Sequence, residues 1–456
     1  RRRESRGIRY SAVKNMTTNE RQVTVMNLLR TLLIGGDDNL EKRNMVWNML
    51  GSLLYAFASM VLSIVVIQVV GEDEGGIFSF AFSAFGQHMF MVAYFGMRPF
   101  HITDIGRRYT FGEYLRLRFV TCGGALVFGL LYVYFNQDTY TYVKTMTVIL
   151  MVCYKVIDGF ADVYEAEFQR DGRLYLTGKS NTFRTLFSAG SFIACLVMSH
   201  NLVLSCIVSV IAQILGVLIF NISIIGELPQ VDWSCRKGRC SLLFQENFLL
   251  FLSAIIDFYV FSASKYAIEG NMLNKDQAIF GAIFMPTSVI NLVAGFVIRP
   301  YITKLSLVWE KREFANFAKV VGRLAAIIAG LTVLALGGAW FLGIPVLSML
   351  YPKIGYAIAD SRLPLLLIIL GGAFNAYINL FYYSLIIMQK RRHIFVIYAL
   401  VAGAAFLISS PFVRWMGILG GALSYLMLMF ALTVCFGLTA LYFYRKENRN
   451  GRKMAK

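Results

Sequence analysis

Charge is scarce in this 456-residue chain. Only 15% of its residues are Asp, Glu, Lys or Arg, against about a quarter in a soluble domain. Acids are scarcest: 26 Asp and Glu face 44 Lys and Arg, a formal net charge of +18. So few polar groups cannot coat a water-facing surface of this size, which excludes a soluble enzyme, a disordered protein and an ordinary nucleic-acid binder. Catalytic motifs are missing too. There is no Gly-rich phosphate loop with a following Lys-Ser/Thr, no His-Glu-x-x-His and no Gly-x-Ser-x-Gly. No external loop is large enough for a glycosyltransferase or ligase site. An enzyme is therefore not expected, and neither is ATP hydrolysis, a metal site or a cofactor.

Histidine and cysteine are sparse. His88, His101, His200 and His393 are scattered. Cys122, Cys153, Cys195, Cys206 and Cys435 fall in apolar runs, where Cys acts as a small hydrophobe. Cys235 and Cys240 flank Arg-Lys-Gly-Arg in a polar loop and lack further ligands nearby, so they read as incidental. No cleavable signal peptide is expected, because a long polar stretch precedes the first long apolar segment.

What the chain has in abundance is apolar sequence: 57% hydrophobic residues and a mean hydropathy of +0.60. A bilayer core about 30 Å thick needs roughly 20 helical residues. Twelve such segments are predicted, at 45–70, 77–97, 117–135, 142–164, 182–199, 202–224, 246–265, 277–298, 321–343, 364–388, 393–412 and 416–444. The fold class expected is an all-α polytopic membrane protein. Within the basic segment 1–44, Val25, Leu28, Leu29, Leu32 and Leu33 share one helical face, which suggests a short interfacial helix. Asp38 and Glu41 fit a capping box that opens the first spanning helix.

The basic residues sort by side. With both termini placed in the cytoplasm, cytoplasmic segments hold 37 of the 44 Lys and Arg. The external side holds six: Lys144, Lys265, Lys275, Lys353, Arg362 and Arg414. That asymmetry is a strong orientation signal. Most of the net charge therefore reports topology.

The two halves repeat. Glu74-Gly-Gly-Ile-Phe78 opens the second helix and Asp276-Gln-Ala-Ile-Phe280 opens the eighth. Arg98-Pro99-Phe100 closes the second and Arg299-Pro300-Tyr301 the eighth. Phe168-Gln169-Arg170 and Met388-Gln389-Lys390 follow the fourth and tenth. An offset of six helices, being even, keeps the orientation, so the duplication is parallel. The expected organisation is a basic segment 1–44, an N-terminal lobe 45–224, a basic linker 225–245, a C-terminal lobe 246–444 and a basic tail 445–456. Two six-helix lobes facing each other across a central cavity are a transporter architecture.

Charges inside helices are costly, about 2.5–3.5 kcal/mol each at mid-membrane on insertion scales. Lys155, Asp158 and Asp162 share one face of the fourth helix. Either Lys155 and Asp158 neutralise each other and hold the bundle, or the patch lines the cavity. Asp257 lies roughly 16 Å into the seventh helix with no charged helical neighbour, which favours a cavity or coupling role. Arg98 and Arg299 occupy matched helix ends, as topological anchors or as a fork for phosphate oxygens. Arg170, Arg173, Lys179 and Arg184 read as a topological basic run. His88, beside Gln87, is a proton site or a satisfied core histidine. Pro286 would kink the eighth helix.

These residues resemble a family. Asp158-Gly-Phe-Ala-Asp162, Glu167-Phe-Gln-Arg-Asp-Gly-Arg173, Ser264-Lys265-Tyr266-Ala-Ile-Glu269 and Phe284-Met-Pro286, with the basic loop after Arg299-Pro300, are similar to Wzx-type polysaccharide flippases of the multidrug/oligosaccharidyl-lipid/polysaccharide exporter superfamily. The resemblance implies translocation of an undecaprenyl-pyrophosphate-linked oligosaccharide across a bacterial plasma membrane for O-antigen or capsule synthesis, driven by an H⁺ or Na⁺ gradient. It implies the bilayer, that lipid-linked substrate, and a polymerase and glycosyltransferases of the same pathway as partners, and no nucleic acid. Arg98, Lys155, Lys265 and Arg299 are the implied headgroup contacts, and Asp158, Asp257 and His88 the implied coupling residues. Two other readings stand beside it: a cation-coupled multidrug exporter, whose cavity would be lined mainly by acids and aromatics, and a non-transporting scaffold of a glycan-assembly complex.

Overall fold

The structure is a computed structural model that describes residues 34, 39–104, 106–226, 228 and 231–454. The predicted interfacial helix at residues 25–33 and Asp38 lie outside the described residues, as does the side chain of Arg299. Among the described residues every regular element is helical. Ten stretches are long and apolar enough to cross a membrane, which makes this a multi-pass membrane protein.

In chain order the spanning helices are α1 (Leu40–Val70), α2 (Glu72–Ile102), α3 (Phe111–Phe135), α4 (Tyr142–Arg170), α5 (Leu174–Ser199) and α6 (Leu202–Ile225). They are followed by α7 (Arg239–Asn271), α8 (Asn274–Phe284 and Pro286–Glu310), α9 (Phe314–Leu350) and α10 (Arg362–Ile387). The last helical stretch, Arg391–Met454, is two helices, α11 over 391–416 and α12 over 418–454. They are divided at Gly417, whose backbone (φ 58°, ψ −134°) is non-helical. With α4, a 29-residue helix whose charges hide it from a hydropathy scan, the bundle has the twelve helices the sequence predicts. Asn39 caps α1, accepting from the Glu41 and Lys42 amides.

The main departures from prediction are at helix boundaries: α8 runs on through Arg299 and Pro300 to Glu310 rather than closing at 298, and two helices start earlier than predicted. α5 begins at Leu174 rather than 182, and α7 at Arg239 rather than 246. In both, polar residues that read as loop are helical. Lys179 and Arg184 are buried inside the N-terminal lobe, where protein partners replace the water that a hydropathy scale assumes.

Each lobe has its own core. Residues such as Phe78, Phe82, Met151, Phe192 and Leu196 form one in the N-terminal half. Phe280, Phe284, Ile368, Tyr425 and Phe436 belong to one in the C-terminal half. The repeated segments meet at the seam. Gly76 lies so close to α8 that a Cβ there would fall 1.7 Å from the Asn274 carbonyl. At the same end, Gln68 donates to the Leu350 carbonyl at 2.9 Å, Tyr356 donates to Glu72 at 2.9 Å, and Lys144 pairs with Glu269 at 2.6 Å. In the orientation predicted from charge, this is the external end. Helix α7 also packs against the N-terminal lobe, with Tyr266 beside His88 of α2 and Glu246 beside Arg108 of the α2–α3 loop.

Within the N-terminal lobe α1 and α5 cross at Gly51 and Gly178. A Cβ on Gly178 would sit 2.2 Å from the Trp47 carbonyl, a backbone atom that cannot swing away. Overpacking of this kind costs typically about 1–3 kcal/mol. Gly178→Ala is therefore expected to lower the thermal midpoint of the detergent-solubilised protein. Gly190→Ala, on the same helix with nothing within 4 Å, should leave it unchanged.

Candidate functional site

Helix α4 buries Lys155, Asp158, Asp162 and Glu165 on one face and Glu167 on another. Asp158, Asp162 and Glu165 each find an arginine from another helix, and Glu167 finds one on α4 itself. Arg184 of α5 reaches Asp158 at 2.6 Å and Glu165 at 2.7 Å. Arg118 of α3 reaches Asp162 at 2.9 Å, and its other nitrogen donates to the Ala93 carbonyl at 2.6 Å. Arg98 of α2 reaches the other Asp162 oxygen at 2.7 Å. Glu167 takes Arg170 at 2.6 Å and accepts from or pairs with His101 at 2.8 Å. Neutral groups complete the shell: Tyr55 and Gln213 donate to Asp158 at 3.0 and 3.3 Å.

This arrangement resolves two sequence readings. Lys155 and Asp158 do not pair directly. The Tyr55 hydroxyl stands between them, accepting from the Lys155 Nζ at 3.0 Å and donating to Asp158. Lys155 also donates to Gln87 at 3.0 Å and lies 3.9 Å from the centre of the Phe82 ring. Arg184, read as part of a topological run, is instead the central cation of the lobe. Nothing in its sequence surroundings distinguishes it from Arg173, which is partly exposed at the helix turn. Only a match between the acid spacing on α4 and a basic residue on the antiparallel neighbour would have found it.

The predicted residues thus fall into separate places. Arg98, Lys155 and Asp158 belong to one connected network inside the N-terminal lobe. His88 and Lys265 lie at the seam. The His88 Nδ1 is 2.9 Å from the Tyr266 hydroxyl of α7, with its ring edge-on to Phe258. Asp257 sits on α7 facing the C-terminal lobe, with Tyr398 of α11 and Tyr382 of α10 beside it, and makes no ion pair among the described residues.

Lys265 differs most from expectation. Predicted as the external last residue of the seventh helix, it lies inside α7, which continues to Asn271. It is 92% buried (8% exposed). Its Nζ lies 4.2 Å from the Phe284 ring centre and has no hydrogen-bond or ion-pair partner among the described residues. It faces a cavity of about 300 Å³ between the lobes. Ser59 and Ser63 of α1, Ser79 and Ser83 of α2, and Ser288 of α8 add hydroxyls to the wall. The remaining lining is mostly apolar, and no acid lines the cavity among the described residues. Through Met60, Met285 and Val289 it joins an apolar groove beside α8, α9 and α10. Among the described residues no group of three or more His, Cys, Asp or Glu is placed to hold a metal ion.

No protein-family model matches the sequence, and no curated protein matches it. Solved structures do. The eukaryotic MATE transporter AtDTX14 superposes with a TM-score of 0.63 at 10% identity, over 91% of this chain and all of that one. The lipid II flippase MurJ, in an inward closed conformation, superposes with 0.59 at 12% identity, over 88% and 91%. The fold is that of the MATE and MurJ transporters. A third chain with this MATE-like fold is a MOP superfamily transporter from Pyrococcus furiosus, described as having a binding pocket of reverse polarity (TM-score 0.56, 13% identity, 92% and 98% covered).

The MATE-like N-terminal lobe of this chain depends on Arg184. Removing one partner of a buried ion pair leaves an uncompensated charge, at about 3–5 kcal/mol. Arg184→Ala leaves Asp158 without a cation and Glu165 with only the longer Arg98 contact at 3.5 Å, and should lower the thermal midpoint sharply. Arg98 is 23% exposed and shares Asp162 with Arg118, so Arg98→Ala should cost about 1 kcal/mol or less. Parallel melts of the two variants in detergent check the contrast.

Proposed function

We propose that this chain is a membrane flippase that moves a lipid-linked, anionic-headed oligosaccharide from the cytoplasmic to the outer face of a bacterial plasma membrane by alternating access. Lys265 carries the reading. Taking an ammonium out of water costs several kcal/mol, and a cation–π contact returns only about 2 kcal/mol. Such a group, unpaired at the seam of two lobes, suits a ligand that brings its own negative charge. Phosphate oxygens are the natural partner, with the serine hydroxyls around them. The adjoining apolar groove suits a substrate that is greasy at one end. Arg98, near the end of α2, and Arg299, within α8, are proposed to receive the headgroup on the cytoplasmic side. Lys155 is proposed to tune the field of the N-terminal wall from behind Tyr55.

The multidrug-exporter reading requires acids in the cavity for a cationic drug, and the lining has none among the described residues. The fold alone is compatible with either substrate class, so the polarity of the cavity is what favours the anionic one. Lys265→Gln should lower export of the lipid-linked glycan in the host by at least about ten-fold, since a hydrogen bond to a charged group is worth about 1.5–3 kcal/mol. Lys265→Arg should retain part of it. Wild-type export by Lys265→Gln, at matched expression, would remove the reading.

An H⁺ or Na⁺ gradient is proposed to drive the cycle, with Asp257 as the coupling acid and His88 as a relay across the α2–α7 seam. Asp158 is a poorer candidate, because Arg184, Tyr55 and Gln213 already occupy it. Asp257→Asn should abolish the dependence of transport on an imposed gradient in vesicles. Identical gradient dependence in the variant would exclude Asp257 from coupling.

A further inference from the structure

The linker between the lobes is folded against the start of α3. The Gly112 amide donates to the Asp232 carbonyl at 3.1 Å, and the Thr110 hydroxyl donates to the Ser234 carbonyl at 2.6 Å. The Arg236 guanidinium grips both oxygens of the fully buried Glu113, at 2.8 and 3.0 Å. Trp233 packs edge-on to Phe111 at 4.9 Å. Gly238, with φ of +79°, then turns the chain into α7. That left-handed turn reverses the chain between Cys235 and Cys240 and brings their sulfurs to 3.7 Å.

We infer that Cys235 and Cys240 are a reversible dithiol that closes to a disulfide under oxidation and locks this linker clasp. A disulfide needs its sulfurs at about 2.05 Å, so a shift of under 2 Å in a glycine-hinged turn completes it. The two thiols differ in a useful way. Cys235 is exposed, with the Arg116 guanidinium donating to its sulfur at 3.6 Å, so it is the thiol that an oxidant reaches first. Cys240 is partly buried and points its sulfur at the Glu113 carbonyl, 3.7 Å away.

These positions assign an order. The Cys235 thiolate attacks glutathione disulfide, forming a mixed disulfide and releasing one glutathione thiolate. The Cys240 thiolate then attacks the Cys235 sulfur and releases the second. Two protein thiols lose two electrons and two protons, and glutathione disulfide is reduced to two glutathiones. On the cytoplasmic side, where positive charge places the linker, the pair rests reduced and responds only to oxidative challenge. The bond ties residue 235, held to α3, to the first turn of α7, so it restrains one lobe's last connection to the other. This step does not rest on the substrate proposed above. A failure of the flippase reading would leave it intact.

The test uses the full chain in membrane vesicles treated with glutathione disulfide. Peptide mass mapping should find a Cys235–Cys240 link, lighter by two hydrogen atoms than the reduced peptide and restored by dithiothreitol. Maleimide labelling of both cysteines should be lost together. Amide exchange over 232–238 should slow on oxidation in the wild type and not in Cys235→Ser or Cys240→Ser. A stable glutathione adduct on Cys235 with no internal link would overturn the inference, as would undiminished labelling of both thiols. An internal link with unchanged amide exchange would overturn the locking of the clasp.

Discussion

A charged carboxylate inside a membrane is costly unless it is paired, and the N-terminal lobe is arranged around that cost. Helix α4 places Asp158, Asp162 and Glu165 along one face and buries Glu167 on the opposite one. Each of three neighbouring helices answers with an arginine: Arg98 from α2, Arg118 from α3 and Arg184 from α5. Arginine suits the task because its planar fork stays charged and can span two acids at once. Arg184 does so, bridging Asp158 and Glu165 across nearly two turns of α4. The packing of four helices is thereby set by charge as much as by shape, since rotating any one of them would strand an ion.

The C-terminal lobe is built differently. Its core is apolar and aromatic, with Phe261, Phe284 and Tyr425 packed edge to face. Its charges at depth are few and unpaired, Lys265 and Asp257, both on α7. That asymmetry gives the seam its character. One wall is a self-neutralised, rigid lattice of ion pairs. The other offers a solitary ammonium over an aromatic face. A rigid lobe and a lobe with unsatisfied charge form a pair in which binding at the seam can act on one partner while the other holds its shape.

The seam itself follows from the internal duplication. The two repeated helix openings meet across it, and small residues there let the backbones touch. Gly76 against Asn274 and Gly281 against Ser79 leave no room for a larger side chain. Close contact at one end and a serine-lined cavity deeper in the seam are consequences of the same pair of segments. The linker that joins the copies is no slack tether, because the capped start of α3 holds it from Asp232 to Cys240.

Twelve helices, their order, the parallel repeat and the sidedness of charge are legible in the sequence alone, because each depends on periodicity, run length or composition, and these are local. Lys155, Asp158 and Asp257 also stand out by themselves, since a charge within an apolar run is conspicuous whatever surrounds it. Lys265 is found in the sequence but misplaced, because hydropathy ends α7 six residues too early. The sequence does not say which charges cancel. Arg118 and Arg184 look like loop or helix-end basics until α3 and α5 are laid against α4, and the isolation of Lys265 is visible only once every neighbour has been placed. The reach between the sulfurs of Cys235 and Cys240 likewise waits on the turn at Gly238. Pairing is a property of distances between helices far apart in the chain, and only the tertiary structure supplies those distances.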